Sequence, residues 1–394
     1  MPRFAVVRVI AILLAMHAGS WPWAALAEPA ARILVGLDGK AFFEPDGFRV
    51  GEGGHDAVLV VDVTEPARPR VVHTLPLSNS VYGPPTNLAI TPDGRLGLVA
   101  SSMRTVRDGA GWRAEPDDRP HVIDLATEPP ALVETVTVGR QPSGLAIGPG
   151  GDVALLANRA GRSVTVLSIE GRRVRPVAEV DLGDEVAGVA IAPDGSTALA
   201  VKNATGFVAV LRLDGRRVSY DPAADLPVGR GAYSAAFTPD GRLAITANTG
   251  PVSDGHADTA SVIRLDGPRP RVSAHVTVGD TPEVLAVAPD GRHAVAVVVR
   301  GSSAPRGSPA YTPTDTAVLL SIGPAGEVAV ADEVEVGALP EGIAFGPYAR
   351  HVYVGNYVDR TLSVLRIEGD RLVKVGEPLV LPGQPAYIGG ITRG

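Results

Sequence analysis

The sequence predicts an all-β protein, a seven-bladed β-propeller with four antiparallel strands per blade, whose closing blade is shared between the N- and C-terminus. Three observations predict this fold. A short apolar segment recurs six times, a fixed series of turns and strands follows each copy, and the two ends of the chain carry complementary parts of a further copy. Repetition at this period is typical of propellers, in which each blade is one repeat.

The recurring apolar segment is interpreted as the first strand of each blade. Its copies lie about 44 to 58 residues apart, whereas a bare four-stranded blade needs roughly 40 to 45 residues. The shorter intervals therefore predict bare blades, and the longer ones predict blades with insertions. The six copies are NLAI at Asn87, GLAI at Gly144, GVAI at Gly188, SAAF at Ser234, VLAV at Val284 and GIAF at Gly342.

The same elements follow each first strand. A Pro-Asp-Gly turn comes next, in which Pro fixes φ and Gly accepts a positive φ. A second strand then ends in Asn, and a third strand alternates in the pattern of SVTVLSI. We interpret the repeated Asn residues as structural turn caps. The turns begin at Pro92, Pro193, Pro239 and Pro289, and the Asn residues are Asn158, Asn203, Asn248 and Asn356.

The two ends of the chain supply the seventh blade. The segment PAYIGGI, which begins at Pro385, has the pattern of a first strand with nothing after it. Strand-like segments near residues 33–35, 57–63 and 71–77 have no first strand before them. Pairing these parts closes the ring and removes the open sheet edge, which would otherwise favour aggregation.

The first 27 residues have the pattern of a signal peptide, and residues 28–394 are predicted to form a single β-propeller domain. A basic segment precedes a short apolar run, and Ala25-Leu26-Ala27 matches a cleavage site. The run is too short to span a bilayer, so no membrane anchor is expected. We expect a periplasmic or secreted protein after cleavage near Ala27. The sequence contains no Cys, which excludes disulfides and Cys-ligated cofactors.

The repeat resembles that of a known family. The unit V-G-x-x-P-x-G-[LIV]-A-[IV]-x-P-D-G, followed by a second strand ending in Asn, is similar to the YVTN-family, YncE-like β-propeller repeat of bacterial and archaeal cell-envelope proteins. The YVTN tetrapeptide is imperfect here, with LLAN at 155, ITAN at 245 and YVGN at 353. The resemblance implies a propeller over the whole mature chain. Similar propellers include lactonase-type enzymes.

Four insertions between second and third strands are expected on one face of the disc. They span residues 36–56, 101–120, 249–259 and 300–316, and they show no helix or strand signal. Long loops that share a face favour a surface for a protein partner or a small ligand, although neutral insertion explains them too. The candidate contact residues are Trp112, Arg104 and Arg107 in the second insertion and Tyr311 in the fourth, together with Tyr233 and Tyr387 at the channel mouth.

The residue before each first strand is expected at the mouth of the central channel. Around the ring these are Thr86, Ser143, Ala187, Tyr233, Glu283, Glu341 and Tyr387. Glu283 and Glu341 are neighbours. They are candidates to share a divalent cation or a proton, or to neutralise a cationic ligand, and the alternative is two solvated charges at a wet mouth.

No sequence motif for catalysis is present, since the chain lacks G-x-S-x-G, P-loop and H-E-x-x-H patterns. A formal net charge of −7 disfavours nucleic acid as a partner. The leading hypothesis is a non-enzymatic binding or accessory protein that uses the insertions and needs no cofactor. One alternative is a lactonase-like hydrolase or isomerase that depends on a divalent cation held by Glu283 and Glu341. Another is the propeller subunit of a periplasmic oxidoreductase.

Overall fold

The computed structural model describes residues 31–390 and confirms the seven-bladed β-propeller. It is 55% strand and 2% helix. Seven antiparallel sheets of at least four strands surround a central channel. We number the blades 1 to 7, and blade 1 combines both ends of the chain. The predicted signal peptide, residues 1–27, lies outside the described residues. Within residues 31–390, no helix has the length and apolar character needed to cross a membrane.

Each blade runs outward from the channel in chain order. The inner strands of blades 1 to 7 are Gln384–Gly389, Leu88–Ile90, Pro142–Ile147, Val186–Ile191, Ala232–Phe237, Pro282–Val287 and Pro340–Phe345. The second strands are Arg32–Asp38, Leu96–Val99, Val153–Asn158, Thr197–Lys202, Leu243–Asn248, His293–Val298 and His351–Asn356.

The third and outer strands complete the blades. The third strands of blades 1 to 7 are Ala57–Asp62, His121–Asp124, Ser163–Glu170, Phe207–Asp214, Asp258–Arg264, Asp315–Ile322 and Thr361–Glu368. The outer strands are Arg70–Leu75, Ala131–Thr135, Arg173–Asp181, Arg217–Tyr220, Arg271–Gly279, Val328–Val336 and Arg371–Lys374. Short strands Leu226–Pro227 and Leu379–Val380 also pair with the third strands of blades 4 and 7. Two 3-10 turns lie at Pro222–Ala224 and Pro347–Ala349.

The expectation that the insertions lack regular structure was wrong for two of the four. Residues Ala41–Glu44 pair with Gly47–Val50, and Met103–Asp108 pair with Gly111–Pro116, so each of these insertions contains a β-hairpin. Each of these strands is only four to six residues long, which is too short to show a clear alternating pattern in the sequence. We call the disc face that carries the insertions the loop face.

The core consists of apolar layers between blades. In the second strand of blade 3, Leu155 packs toward blade 4 and Leu156 packs toward blade 2. Successive side chains of a strand point to opposite faces, and both faces are covered here, so both sets are apolar. This explains why the second strands read as continuous apolar runs rather than as alternating ones.

The ring closes as the sequence predicts. Gln384–Gly389 pairs antiparallel with Arg32–Asp38, with Val35 opposite Ile388. Ile388 and Val35 pack in the layer between blades 1 and 7. The Tyr353 hydroxyl of blade 7 donates a hydrogen bond to the Pro66 carbonyl of blade 1, at 2.9 Å.

The repeated Asn residues are structural, but they bond across strands rather than cap turns. Asn248 Nδ2 donates to Thr259 Oγ1 at 3.1 Å and to Ser261 Oγ at 2.9 Å on the neighbouring third strand. Asn158 and Asn356 make the equivalent pairs of bonds. Asn203 differs, since its Oδ1 accepts a hydrogen bond from Arg159 of the previous blade.

Candidate site at the channel mouth

A β-bulge at the start of the inner strands positions the channel-mouth side chains. In blades 4 to 6 the pairing with the second strand skips one residue, and these residues are Ala187, Tyr233 and Glu283. Blades 3 and 7 are bulged at Ser143 and Glu341 together with the glycine that follows each. A bulge redirects the side chain of the extra residue. The repeated bulge therefore defines a ring of positions at the channel mouth.

Blade 1 departs from the predicted ring by one residue. Gly36 pairs with Tyr387 and Leu37 pairs with Pro385, so the skipped residue is Ala386. Tyr387 takes the next position, where blades 3, 4 and 7 have glycine. Its fully buried side chain lies close enough to Glu341 for that carboxyl, together with burial, to raise the pKa of the phenol well above its ordinary value.

Glu283 and Glu341 form a carboxyl pair from adjacent blades. Glu341 is 3% exposed, and Glu283 is half-buried. Burial raises the pKa of Glu283 to about 7, with a further contribution from Asp315, while a hydrogen bond from Glu341 lowers it. Burial and the charge of Glu283 raise the pKa of Glu341 well above its usual range. Two adjacent carboxyls in this setting disfavour double ionisation, so the pair favours states in which at least one of them keeps its proton.

Several buried polar atoms on or beside the inner strands have no hydrogen-bond partner within residues 31–390. They are Glu341 Oε2, Thr86 Oγ1, Ser234 Oγ and Asn87 Oδ1, while the buried Tyr387 hydroxyl has Ser102 beside it. Buried polar groups are normally paired, because an unpaired one costs about 1–3 kcal/mol. Unpaired groups at a channel mouth are therefore positions where a bound polar molecule gains hydrogen bonds.

Arg159 is a site residue that the sequence did not reveal. It follows Asn158 in blade 3 and extends across blade 4, donating to Asn203 Oδ1 at 3.0 Å and to Glu185 Oε2 at 3.3 Å. Its guanidinium lies 5.9 Å from the centre of the Tyr233 ring in blade 5. Its charge also acts on Glu283 of blade 6. Side chains from blades 3, 5 and 6 meet only near the channel axis, so Arg159 lies at the mouth.

A second buried cation, Lys40, anchors the first insertion beside the carboxyl pair. Lys40 is 3% exposed, and its Nζ bonds Asp56 Oδ2 at 2.7 Å and lies 3.5 Å from Asp38 Oδ1. Burial raises the pKa of Asp38, although Lys40 opposes this. The Asp38 charge contributes in turn to the raised pKa of Glu341. Lys40 is therefore paired twice within the protein.

The insertions contact one another on the loop face. The Arg306 backbone N–H donates to the Pro45 carbonyl at 3.1 Å, which links the fourth insertion to the first hairpin. Ser253 and Ser303 hydroxyls lie 2.8 Å apart and link the third insertion to the fourth. Phe43, Phe48, Tyr82 and Tyr357 form a chain of edge-to-face aromatic contacts beside the first hairpin, with ring centres 5.1 to 5.8 Å apart. The insertions thus form a continuous wall over blades 5, 6, 7 and 1.

The predicted contact residues separate into two groups. Tyr233, Tyr387, Glu283 and Glu341 come together at the channel mouth. Trp112 and Arg107 instead form a cross-strand pair near the tip of the second hairpin, with the guanidinium 5.2 Å from the ring centre. On the same hairpin, Arg104 Nη2 lies 3.5 Å from Glu115 Oε2. Tyr311 lies in the fourth insertion, half-buried, and its N–H bonds the Ser308 carbonyl.

The donor set at the mouth does not fit a divalent cation. Across residues 31–390, no group of three or more His, Cys, Asp or Glu side chains has an arrangement suited to a metal ion. Burial raises the pKa of both Glu283 and Glu341, so the pair resists carrying two negative charges. A hard divalent cation takes six or more oxygen ligands, from ionised carboxylates together with carbonyls and waters. We therefore derive no chemical step through a metal at this site.

The chain is similar in structure to several solved propellers. It matches a proposed 6-phosphogluconolactonase of Bacteroides uniformis with a TM-score of 0.68 and 14% identity, over 92% of this chain and 99% of that one. The periplasmic gluconolactonase PpgL of Pseudomonas aeruginosa matches with a TM-score of 0.63 and 19% identity, over 92% and 99%. Hydrazine synthase of Kuenenia stuttgartiensis matches with a TM-score of 0.57 and 18% identity, over 74% of this chain and 78% of that one.

No protein-family model matches the sequence, and no curated protein sequence matches it. The resemblance to solved structures, at such low identity, establishes the seven-bladed propeller fold, which these proteins share while differing in activity.

Proposed function

We propose that this protein is a lactonase, which hydrolyses a small cyclic ester at the channel mouth. The observation that carries the proposal is the buried Glu283–Glu341 carboxyl pair. It presents one acid and one base side by side at the open end of a channel. Opening a lactone needs both, since a proton must leave the attacking water and another must reach the departing ring oxygen. The structural similarity to lactonases supports the same choice.

The roles within the pair follow from the two pKa shifts. Glu341 has the higher pKa and holds the proton, so it is the general acid, and Glu283 is the general base. Glu283 takes a proton from water as the water oxygen bonds the carbonyl carbon. The bond from that carbon to the ring oxygen breaks, and the ring oxygen leaves as a hydroxyl with the Glu341 proton. The proton on Glu283 then returns to Glu341, and the hydroxy acid product ionises in solvent.

Two further groups complete the chemistry. The Tyr387 hydroxyl, which lies beside Ser102, is a donor for the carbonyl oxygen, which becomes negatively charged during attack. Arg159 is the cation whose charge reaches Glu283, and it lowers the pKa of that carboxyl against the effect of burial. It therefore helps to keep the base ionised near neutral pH.

The first test is hydrolysis of δ-gluconolactone by the mature protein, followed in a pH-stat against the uncatalysed rate. We expect Glu283→Gln and Glu341→Gln each to lower kcat by 10²- to 10⁴-fold, the usual contribution of a general acid or base. Glu335→Gln, an exposed glutamate on the outer strand of blade 6, is the matched control and should retain full activity.

Treatment with a chelator should leave this activity unchanged, because no step uses a metal. A wild-type rate equal to the uncatalysed one for all lactones tried would overturn the proposal. Loss of activity with the chelator, restored by one divalent cation, would instead favour the metal-dependent form of the enzyme.

The remaining expectations from the sequence stay predictions. A periplasmic location is consistent with the similarity to PpgL, and the YVTN-type classification rests on the repeat alone. The binding role of Trp112, Arg104, Arg107 and Tyr311 toward a protein partner is untested. The oxidoreductase-subunit alternative has only the propeller fold in common with hydrazine synthase.

A further inference from the structure

We infer that the channel mouth takes an uncharged, hydroxyl-rich lactone and discriminates against phosphorylated lactones. The inference rests on the proposed function and names its substrate class. It follows from the charges beside the carboxyl pair and from the buried hydrogen-bonding atoms on or beside the inner strands. The two structurally similar lactonases do not settle this point, because one is named for a phosphorylated substrate and the other for an unphosphorylated one.

Two cations on this side of the molecule, Arg159 at the mouth and Lys40 beside Asp38, are already paired within the protein. Arg159 bonds Glu185 and Asn203 and faces the Tyr233 ring. Lys40 bonds Asp56 and the Asn79 carbonyl and lies 3.5 Å from Asp38. A phosphate needs several donors with uncompensated positive charge, as in bidentate arginine sites. Neither Arg159 nor Lys40 can supply an uncompensated positive charge unless its ion pair with a carboxylate of the protein is first broken.

Four carboxyl groups, those of Asp38, Asp56, Glu185 and Asp315, lie against the pair or against these two cations and outnumber them. Asp315 raises the pKa of Glu283, and Asp38 raises that of Glu341, so both act on the pair as negative charges. Asp315 accepts from the backbone N–H groups of Arg300 and Leu339 and from the Ser302 hydroxyl, which fixes it in place. A dianionic phosphate would therefore enter a negative potential, and like charges in a partly desolvated site repel strongly.

The site is favourable for the hydroxyl groups of a substrate, in contrast to a phosphate group. Thr86 Oγ1, Ser234 Oγ and Glu341 Oε2 are buried and unpaired, and the buried Tyr387 hydroxyl has Ser102 beside it. The three hydroxyls both donate and accept, which suits the hydroxyls of a polyol. A site whose buried polar groups are satisfied by substrate hydroxyls rejects analogues that lack them, since those groups are then left unpaired.

The test compares kcat/KM for δ-gluconolactone and for 6-phospho-δ-gluconolactone with the same wild-type preparation. We expect at least a tenfold preference for the unphosphorylated lactone at low ionic strength. The preference should decrease as salt is added, because salt screens charge repulsion. Equal rates, or a preference for the phosphorylated lactone, would overturn the inference while leaving the lactonase proposal intact.

Breaking the ion pair between Arg159 and Glu185 should weaken the preference for the unphosphorylated lactone. Glu185→Gln removes the carboxylate that neutralises this arginine and keeps the side-chain size. We expect the ratio of phosphorylated to unphosphorylated kcat/KM to rise severalfold, with Glu335→Gln leaving the ratio unchanged. An unaltered ratio in Glu185→Gln would show that the pairing of Arg159 does not set the specificity.

A binding measurement separates this inference from the proposed function. Calorimetric titration of wild-type protein with δ-gluconolactam, an uncharged analogue that the enzyme does not open, should show binding at a single site. Inorganic phosphate at millimolar concentration should not compete. If neither lactone is hydrolysed yet the lactam binds, the hydrolytic function fails and the selectivity of the site stands. If the lactam does not bind, or phosphate displaces it, the inference fails.

Discussion

At the scale of single residues, protonation of the Glu283–Glu341 pair connects the proposed activity with the stability of the fold. Folding raises the pKa of Glu283 from its ordinary value of 4.5 to about 7. The folded chain thus binds this proton more tightly than the unfolded chain does. Its contribution to stability is fully present below pH 4.5 and is lost as the pH rises through about 7.

Replacing Glu283 should therefore flatten the pH dependence of stability. We expect the wild type to lose up to about 3 kcal/mol of unfolding free energy from this group between pH 5 and pH 8, since one pKa unit corresponds to about 1.4 kcal/mol. Glu283→Gln should lack that loss. Denaturant titrations of both proteins at the two pH values measure the difference, and parallel pH profiles would contradict it.

The same titration predicts the shape of the activity profile. Activity should rise with pH as Glu283 loses its proton near pH 7 and fall at higher pH as Glu341 loses its own. Glu341→Gln keeps a donor toward Glu283 but cannot release a proton. The pH profile of its residual activity should therefore still rise near pH 7 but should not decrease at higher pH. Measuring kcat/KM from pH 5 to pH 10 distinguishes this outcome from a general loss of folding.

At the scale of single elements, the Asn at the end of the second strand joins two strands of a blade. Asn248 is 1% exposed and bonds Thr259 and Ser261, whereas the half-buried Asn203 bonds the Ala232 carbonyl and Arg159. Both positions carry the same repeat residue. Their different surroundings give a matched pair of substitutions.

We expect Asn248→Ala to lower the unfolding free energy by about 2–3 kcal/mol, because two buried hydroxyls lose their donor. Asn203→Ala should cost about 1 kcal/mol, since its surroundings admit water. Thermal and denaturant unfolding of the two variants test the difference. Equal costs would contradict the distinction between a cross-strand Asn and one that serves the channel mouth.

The backbone of the inner strand shows a similar constraint. Gly342 has φ of +81°, and a Cβ atom there would lie 2.4 Å from the Ile388 backbone nitrogen of the next blade. Only glycine accepts both the conformation and the close approach. The bulge that presents Glu341 to the channel is therefore coupled to the packing of blade 7 against blade 1.

At the scale of the whole molecule, ring closure depends on one strand from the C-terminal end. Gln384–Gly389 covers the inner edge of Arg32–Asp38 and contributes Ala386, Tyr387 and Ile388, each less than 5% exposed. Deleting residues 384–394 should expose that edge and cause aggregation or unfolding. A circular permutant opened at the exposed Asp214–Gly215 turn keeps every strand and should fold. A soluble, monomeric deletion variant, seen by size-exclusion chromatography, would contradict this prediction.

The sequence by itself determined the repeat, and with it most of the fold. Four strands per blade, seven blades and the shared closing blade all follow from local signals, since Pro-Asp-Gly turns and apolar periodicity depend on neighbouring residues in the chain. It also placed Glu283 and Glu341 on adjacent blades. These features were predictable because every repeat carries the same information.

Only the tertiary structure decided which side chains meet at the channel mouth. Three features depend on residues that are far apart in sequence. They are the bulges, the offset by which Ala386 rather than Tyr387 is the bulged residue of blade 1, and the contact of Arg159 with residues of blade 4. The hairpins in two insertions were likewise absent from the sequence pattern. Burial, which raises the pKa values of the carboxyl pair, exists only once seven blades surround the channel, and a repeat pattern contains no measure of it.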